Sequence, residues 1–319
     1  MAKILIHAEN ASDLASRLSE RFPDLHTCAC HSNAEFVSAL ESFAPDAVYS
    51  VRFDGSTPYP TASLMSDGGP RWVTVGGSGC DHLGQWDTNR VTVTNAAGVG
   101  AAMMAEFVFG CALHFSLDVD GLAQDKGDHV WRDRVMTPLC GKTMLIVGLG
   151  QTGQAVARRA KAFDMHVIAT RARPAPATDV DEVYSPAALP SLWPRADVIC
   201  LSIPLLESTR GMVDAAAFTA MKATAILVDV SRGGVIVPDA AIEALRKGQI
   251  AGAAFDVFHE EPLAKDSPYW DLPGAIISPH ASAVFDGWDL ASFEMFLDNL
   301  ERWLNNEPLH RIVDPSRGY

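Results

Sequence analysis

Three charged residues each follow a short apolar run: Arg232 after AILVDV at 225–230, Glu261 after GAAFDV at 252–257, and His280 after AIIS at 275–278. Their immediate settings are Val230-Ser231-Arg232-Gly233-Gly234, His259-Glu260-Glu261-Pro262-Leu263 and Ser278-Pro279-His280-Ala281-Ser282. Histidine exchanges a proton near neutral pH, and a carboxylate beside it stabilises the imidazolium. A guanidinium grips a carboxylate through two parallel hydrogen bonds and polarises a neighbouring carbonyl oxygen. Together these types suit addition of a hydride and a proton to the carbonyl of an anionic 2-oxo acid. Singly, each has an ordinary reading: a loop histidine, a glutamate in a turn before proline, an arginine capping a loop. Their joint placement after three strands of one open sheet, where ligands bind, makes them a set.

A second motif says what would supply the hydride. Gly148-Leu149-Gly150-Gln151-Thr152-Gly153 lies directly after the apolar run TMLIVG at 143–148 and opens a helical stretch. The first glycine permits the tight turn, the second lets a pyrophosphate approach the backbone, and the third allows close helix–strand packing. The helix N-terminus offers N–H groups and positive potential. In this strand–turn–helix context the glycines predict a dinucleotide site. An acid at the end of the next strand would accept from a ribose 2′-OH, about 20 residues on. That strand, HVIAT at 166–170, instead ends Ala169-Thr170-Arg171-Ala172-Arg173. Two guanidinium groups with a neighbouring hydroxyl suit a 2′-phosphate, so NADP is expected, with NADPH preferred over NADH and Thr170, Arg171 and Arg173 as contacts.

The elements that must position these groups read as two α/β runs. In the first, strand candidates are KILIHA at 3–8, DAVYSV at 46–51, RWVTVG at 71–76 and VTVTN at 91–95, with a helical stretch from Asn10 and a long apolar helix over 101–117. In the second, six candidates alternate with helices, as a doubly wound sheet needs. The final helical stretch, about 286–305, has no strand of its own to serve and is expected to return to the first domain. The expected fold is therefore α/β with two domains: a Rossmann-type dinucleotide-binding domain over 98–285, and a smaller discontinuous flavodoxin-like substrate domain from 1–97 and 286–319.

Hydrophobic residues make up 48% of the 319, enough for a large core. A formal net charge of −14 argues against nucleic acid or an anionic membrane as partner. It also requires a locally basic pocket for an anionic substrate. None of the six cysteines forms a C-x-x-C pair, which suits free thiols in a reducing compartment. No apolar run approaches the ~18 residues of a membrane span, and the N-terminus enters a strand at once. A soluble cytoplasmic protein is expected.

The chain resembles the D-isomer-specific 2-hydroxyacid dehydrogenase family over nearly its full length. Residues 148–153, Ile203-Pro204-Leu205 with Ser208-Thr209-Arg210, Ser231-Arg232-Gly233, Ala253-Ala254-Phe255-Asp256-Val257, Glu261-Pro262-Leu263 and Pro279-His280 carry the resemblance. It implies that Arg232 binds substrate, that Glu261 and His280 form the proton-donating dyad, and that Asp256 helps hold the nicotinamide carboxamide. It further implies that Ile203, Pro204, Thr209, Val230 and Ser231 line the cofactor. Gly76-Gly77-Ser78-Gly79-Cys80 looks like the family's substrate-carboxylate loop, with Ser78 and Gly79 as donors; Arg52 adds charge at the cleft mouth or is a surface arginine. Trp131 and Trp288 read as pocket walls or, more simply, core aromatics. Gln151-Thr152 departs from the Arg-Ile often found inside the glycine motif, which removes one pyrophosphate contact. Glu261 argues against formate dehydrogenase, whose histidine partner is Gln. The resemblance implies reduction of glyoxylate or hydroxypyruvate and a homodimer built on the 101–117 helix. Competing readings are a dinucleotide-sensing corepressor-like protein and a reductase of bulkier aryl or branched 2-oxo acids.

Overall fold

Strands buried on both faces are near-continuous apolar runs, and the runs here fold into two all-parallel sheets flanked by helices. A computed structural model describes residues 1–51 and 57–316. The chain divides into two compact units, one formed by Met1–Val99 with Phe285–Tyr319 and the other by Gly100–Val284.

The first unit holds strands β1 (Lys3–His7), β2 (His26–Cys30), β3 (Ala47–Ser50), β4 (Trp72–Val75) and β5 (Thr92–Asn95). They lie in the order β2-β1-β3-β4-β5, the flavodoxin-like arrangement. Alternate side chains sort to opposite faces. Leu5, Val48 and Val73 pack with Phe36 and Leu40 on one side; Ile4, Ile6, Tyr49 and Trp72 pack with Leu14 and Leu18 on the other. The C-terminal helix Trp288–Leu304 covers that second face through Phe293 and Phe296. The Phe296 ring stacks on Trp72 at 5.1 Å, and Ser292 Oγ donates to the Gly76 carbonyl at 2.6 Å. β2 escaped the sequence reading because it is an edge strand of mixed character, HTCAC, with only Cys30 fully buried.

The second unit holds β6 (Thr143–Val147), β7 (His166–Thr170), β8 (Glu182–Tyr184), β9 (Val198–Leu201), β10 (Ile226–Asp229), β11 (Gly252–Phe255) and β12 (Ala275–Ile277). Their order is β12-β11-β10-β9-β6-β7-β8, the Rossmann order with one strand added. The added strand is β12; at the opposite edge, β8 has three partly exposed residues and no periodicity to betray it. Leu145, Val147, Ile199 and Leu201 face one core, Met144, Ile146, Val198 and Cys200 the other. The helix Ala101–Ser116 seals the latter core with Ala105, Val108 and Phe109. The order in which strands are added reverses between β6 and β9, which places the turns after these strands at the switch point where ligands bind. Trp131 is not a core aromatic: it is 96% exposed. Among the described residues no single helix is long and apolar enough to cross a membrane.

Candidate active site

The glycine motif is built by steric necessity. Gly148 follows β6 at φ +101°, and a Cβ there would lie 2.5 Å from both Ile203 Cγ2 and the Ser202 carbonyl oxygen. A Cβ at Gly153 would lie 2.1 Å from the Gly148 oxygen, so the helix Gln151–Ala162 sits on the turn only because residue 153 has no side chain. Gly150 differs: it is exposed, and no atom would meet its Cβ within 4 Å. It caps the helix without a side-chain hydrogen bond, leaving the first N–H groups to an incoming group. Gln151 is exposed, whereas the Thr152 hydroxyl turns to Met104 Sδ at 3.4 Å. This is a cradle that fits a pyrophosphate.

At the end of β7, Thr170 is 1% exposed and its carbonyl accepts the Gly148 N–H at 3.1 Å. Its hydroxyl is therefore inside the fold rather than beside the exposed Arg173. Arg171 is half-buried, and its N–H binds the Tyr184 carbonyl at 3.0 Å. Among the described residues neither arginine has an acidic partner. After β9, Ile203 lies against Gly148, while the Thr209 hydroxyl donates to the Pro204 carbonyl at 2.8 Å and accepts from the Leu206 N–H at 2.8 Å. Thr209 thus closes its own loop. Val230 is 3% exposed, its N–H bound to the Leu201 carbonyl at 3.1 Å.

The charged residues lie after β10, β11 and β12, three neighbours in one parallel sheet, so all stand at its carboxyl edge. His280 Nδ1 is 2.8 Å from Glu261 Oε2, and Glu261 Oε1 accepts the Phe258 N–H at 2.8 Å. The pair is 46% and 36% exposed at its side chains, open to a substrate. With Nδ1 facing the carboxylate, Nε2 is the nitrogen left to exchange a proton. Arg232 is half-buried, with Nη1 donating to the Ser231 carbonyl at 2.7 Å. Gly233 ties the two turns together, since a Cβ there would lie 1.7 Å from the Phe258 oxygen.

Asp256 holds the histidine loop. Its Oδ1 accepts from Ser278 Oγ at 2.7 Å, the Ala281 N–H at 2.8 Å and the Ser282 N–H at 3.0 Å; Oδ2 accepts from Ser282 Oγ at 2.5 Å. The His280 N–H binds the Asp256 carbonyl at 2.8 Å, with His280 itself at φ +55°. A non-glycine residue in that region persists only where its surroundings over-determine it. The sequence reading assigned Asp256 to the cofactor; here its carboxylate is engaged in positioning His280. The structural roles of Asp229, Gly233, Ser278 and Ser282 went unread. The available signal was an acid closing an apolar strand (ILVD) and serines flanking the histidine.

In the first unit, the loop after β4 begins with Gly76, where a Cβ would lie 2.8 Å from Val51 Cγ2. Ser78 is exposed, and its carbonyl accepts from Asn95 Nδ2 at 2.8 Å. Gly79 is partly exposed. Among the described residues no backbone acceptor takes the N–H of either. Arg52 lies outside the described residues.

The family described as D-isomer specific 2-hydroxyacid dehydrogenase, NAD binding domain, matches residues 109–282. A glyoxylate reductase of Korarchaeum cryptofilum is 34% identical over 232 residues, covering 70% of this chain and 69% of that protein. The glyoxylate/hydroxypyruvate reductase B of Klebsiella pneumoniae is 36% identical over 176 residues, 55% of this chain and 54% of its own length. Among solved structures, a D-isomer specific 2-hydroxyacid dehydrogenase family protein from Aeromonas salmonicida superposes with a TM-score of 0.86 at 26% identity, covering 98% of this chain and 99% of the other.

Proposed function

The chain belongs to the D-isomer-specific 2-hydroxyacid dehydrogenase family, and from that premise we propose that it reduces a small 2-oxo acid to the D-2-hydroxy acid with NADPH. The observation that carries the reading is the 2.8 Å His280–Glu261 pair on the sheet edge that also holds Arg232 and the glycine cradle. When bound, the reduced dinucleotide supplies the hydride. His280 delivers a proton from Nε2 to the carbonyl oxygen, and Glu261 stabilises the imidazolium and fixes the ring. Arg232 holds the substrate carboxylate and polarises the carbonyl. In the first unit, Ser78 and Gly79 are the N–H donors proposed for a substrate carboxylate.

In this reading 98–285 is the dinucleotide domain and 1–97 with 286–319 the substrate domain. Gly148, Gly150, Gln151, Thr152 and Gly153 receive the pyrophosphate; Ile203, Pro204, Thr209, Val230, Ser231 and Asp256 shape the rest of the cofactor wall. NADPH is favoured over NADH by Arg171 and Arg173, which have no acidic partner among the described residues, and by the lack of an acid at the strand end. Glyoxylate and hydroxypyruvate are the first substrates to try, being the ones named for the relatives above. None of the six cysteines is in a disulfide, which suits a cytoplasmic setting. A homodimer is supported by apolar side chains exposed just past the helix Ala101–Ser116: Leu117, Val119, Leu122, Val130, Trp131 and Val135.

The test is loss of reduced-nicotinamide absorbance with glyoxylate, hydroxypyruvate, pyruvate and phenylpyruvate, each with NADPH and with NADH. Fast oxidation of NADPH by a small 2-oxo acid is expected. Faster turnover with NADH would reject the cofactor assignment, and none with any acid the reductase assignment.

A further inference from the structure

The glycine loop after β4 is held from behind. Three consecutive carbonyls accept hydrogen bonds from the body of the first unit: Gly76 from Ser292 Oγ at 2.6 Å, Gly77 from the Ala96 N–H at 2.9 Å and Ser78 from Asn95 Nδ2 at 2.8 Å. Both side-chain donors are buried, and each is itself fixed. Ser292 gives its one proton to Gly76, so the buried Tyr49 hydroxyl, 3.0 Å away, donates to Ser292. Asn95 ends β5, and its Oδ1 accepts the Ala97 N–H at 3.2 Å. Gly76 must be glycine here, since a Cβ would lie 2.9 Å from the Tyr49 hydroxyl oxygen.

We propose that Asn95 and Ser292 are positioning residues for anion capture: by tethering the Ser78 and Gly76 carbonyls they aim the N–H groups of Gly79 and Gly77 out of the loop. The proposal rests on the reading of this loop as the one that takes the substrate carboxylate. A trans peptide sets its C=O and N–H on opposite sides. With three carbonyls turned inward, the N–H groups of Gly77, Ser78 and Gly79 turn outward, and among the described residues none of the three has an acceptor. Gly77 and Gly79 are partly exposed and Ser78 is exposed; nothing would meet a Cβ at Gly77 within 4 Å, so there is room in front of the loop. Successive outward N–H groups make an anion-binding concavity. Glycine-flanked peptides turn freely, and tethers that hold their planes beforehand spare the cost of ordering them on binding.

Asn95→Ala releases the peptide between Ser78 and Gly79, and Ser292→Ala the one between Gly76 and Gly77. The experiment follows the glycine amide signals of the isotope-labelled, NADPH-saturated chain by NMR as oxamate, a non-reducible monoanion, is added, beside KM and kcat for glyoxylate. In the natural chain the Gly77 and Gly79 signals should both move with oxamate. Asn95→Ala should lose the Gly79 response and keep that of Gly77; Ser292→Ala should do the reverse. Each should raise the oxamate Kd and the glyoxylate KM about tenfold, the loss expected for one hydrogen bond to a charged acceptor, with kcat and NADPH affinity little changed. Folded variants in which both glycines respond as in the natural chain overturn the proposal and leave the loop reading standing. So does loss of both responses in each variant, which would make the two side chains general supports of the loop. If neither glycine responds in the natural chain, the loop does not take the anion, and the proposal falls with that reading.

Discussion

Gly233→Ala is a sharp test of how the site is assembled, because its consequence can be worked from one distance. The added Cβ would lie 1.7 Å from the Phe258 oxygen and 2.1 Å from the Phe258 carbonyl carbon. An ordinary carbon–oxygen contact is about 3.4 Å, so the two backbones must part by roughly 1.5 Å, and neither obstacle is a side chain that can rotate away. One of these backbones carries Arg232. The other donates the Phe258 N–H that holds Glu261, and Glu261 in turn holds His280. Separating them moves the carboxylate grip away from the proton donor. A misplacement of about 1 Å costs about 10²-fold in rate, so kcat/KM should fall by about 10² or more. The stability loss should stay near the about 1–3 kcal/mol of local overpacking. Steady-state kinetics, thermal unfolding and NADPH fluorescence titration separate these effects, and NADPH binding at the Gly148 cradle should survive. A folded Gly233→Ala variant with near-normal kcat/KM would refute the claim that the contact between these turns sets catalytic geometry.

Other outcomes follow from the same site and from the first unit. His280→Ala should lower turnover by about 10²–10⁴ while NADPH still binds; near-normal turnover would remove His280 from the proton step. Replacing Arg171 and Arg173 together by Ala should weaken NADPH selectively, measured as the change in KM for NADPH against NADH, and equal losses would reject the phosphate contact. His7, fully buried against Phe36, is lowered to about 4 by burial. Between there and its ordinary value of 6.5 the unfolded chain binds the extra proton, so stability rises with pH across that window. The group accounts for about 3 kcal/mol of that rise. Denaturant midpoints of His7→Gln across the same pH range should show a flatter slope, and an unchanged slope would assign the acid sensitivity elsewhere.

The extent to which the sequence was legible follows burial. Central strands such as TMLIV and ILVD are covered on both faces, and continuous apolar runs announced them. The edge strands HTCAC and EVY face water on one side and are too short or polar for a pattern to emerge. Glycines at 148 and 153 were readable because the close approach they permit leaves a spacing rule. Gly233 obeys the same steric logic, but its obstacle, Phe258, lies 25 residues away in the chain, and only the fold brings the two together. His280, Glu261 and Arg232 were found by type and by their place after strands. The groups that aim them were not found in that role: Asp256 was assigned to the nicotinamide carboxamide, and Asp229 looks in sequence like any acid at a strand end. The hydroxyl of Thr170 was expected to meet the cofactor, and the fold buries that residue; Thr209, expected to line the cofactor, uses its hydroxyl to close its own loop.

For an acidic chain to capture an anion as proposed, its charges must be sorted by place. The net charge of −14 belongs to the whole surface, and exposed charges are screened beyond about 8 Å in physiological salt. At the carboxyl edge of the second sheet Asp256 and Glu261 are already engaged. Asp256 accepts from Ser278, Ala281 and Ser282, and Glu261 is shared between the Phe258 N–H and His280. Such donors stabilise a carboxylate while compensating its field. The uncapped helix start at Gly150 and the Arg171 and Arg173 side chains add positive potential on the same edge. Asp229 is a buried acid on the same edge, and among the described residues both of its hydrogen bonds come from a single residue, Ser231. Its charge is therefore met by fewer donors than that of Asp256, which accepts from three residues.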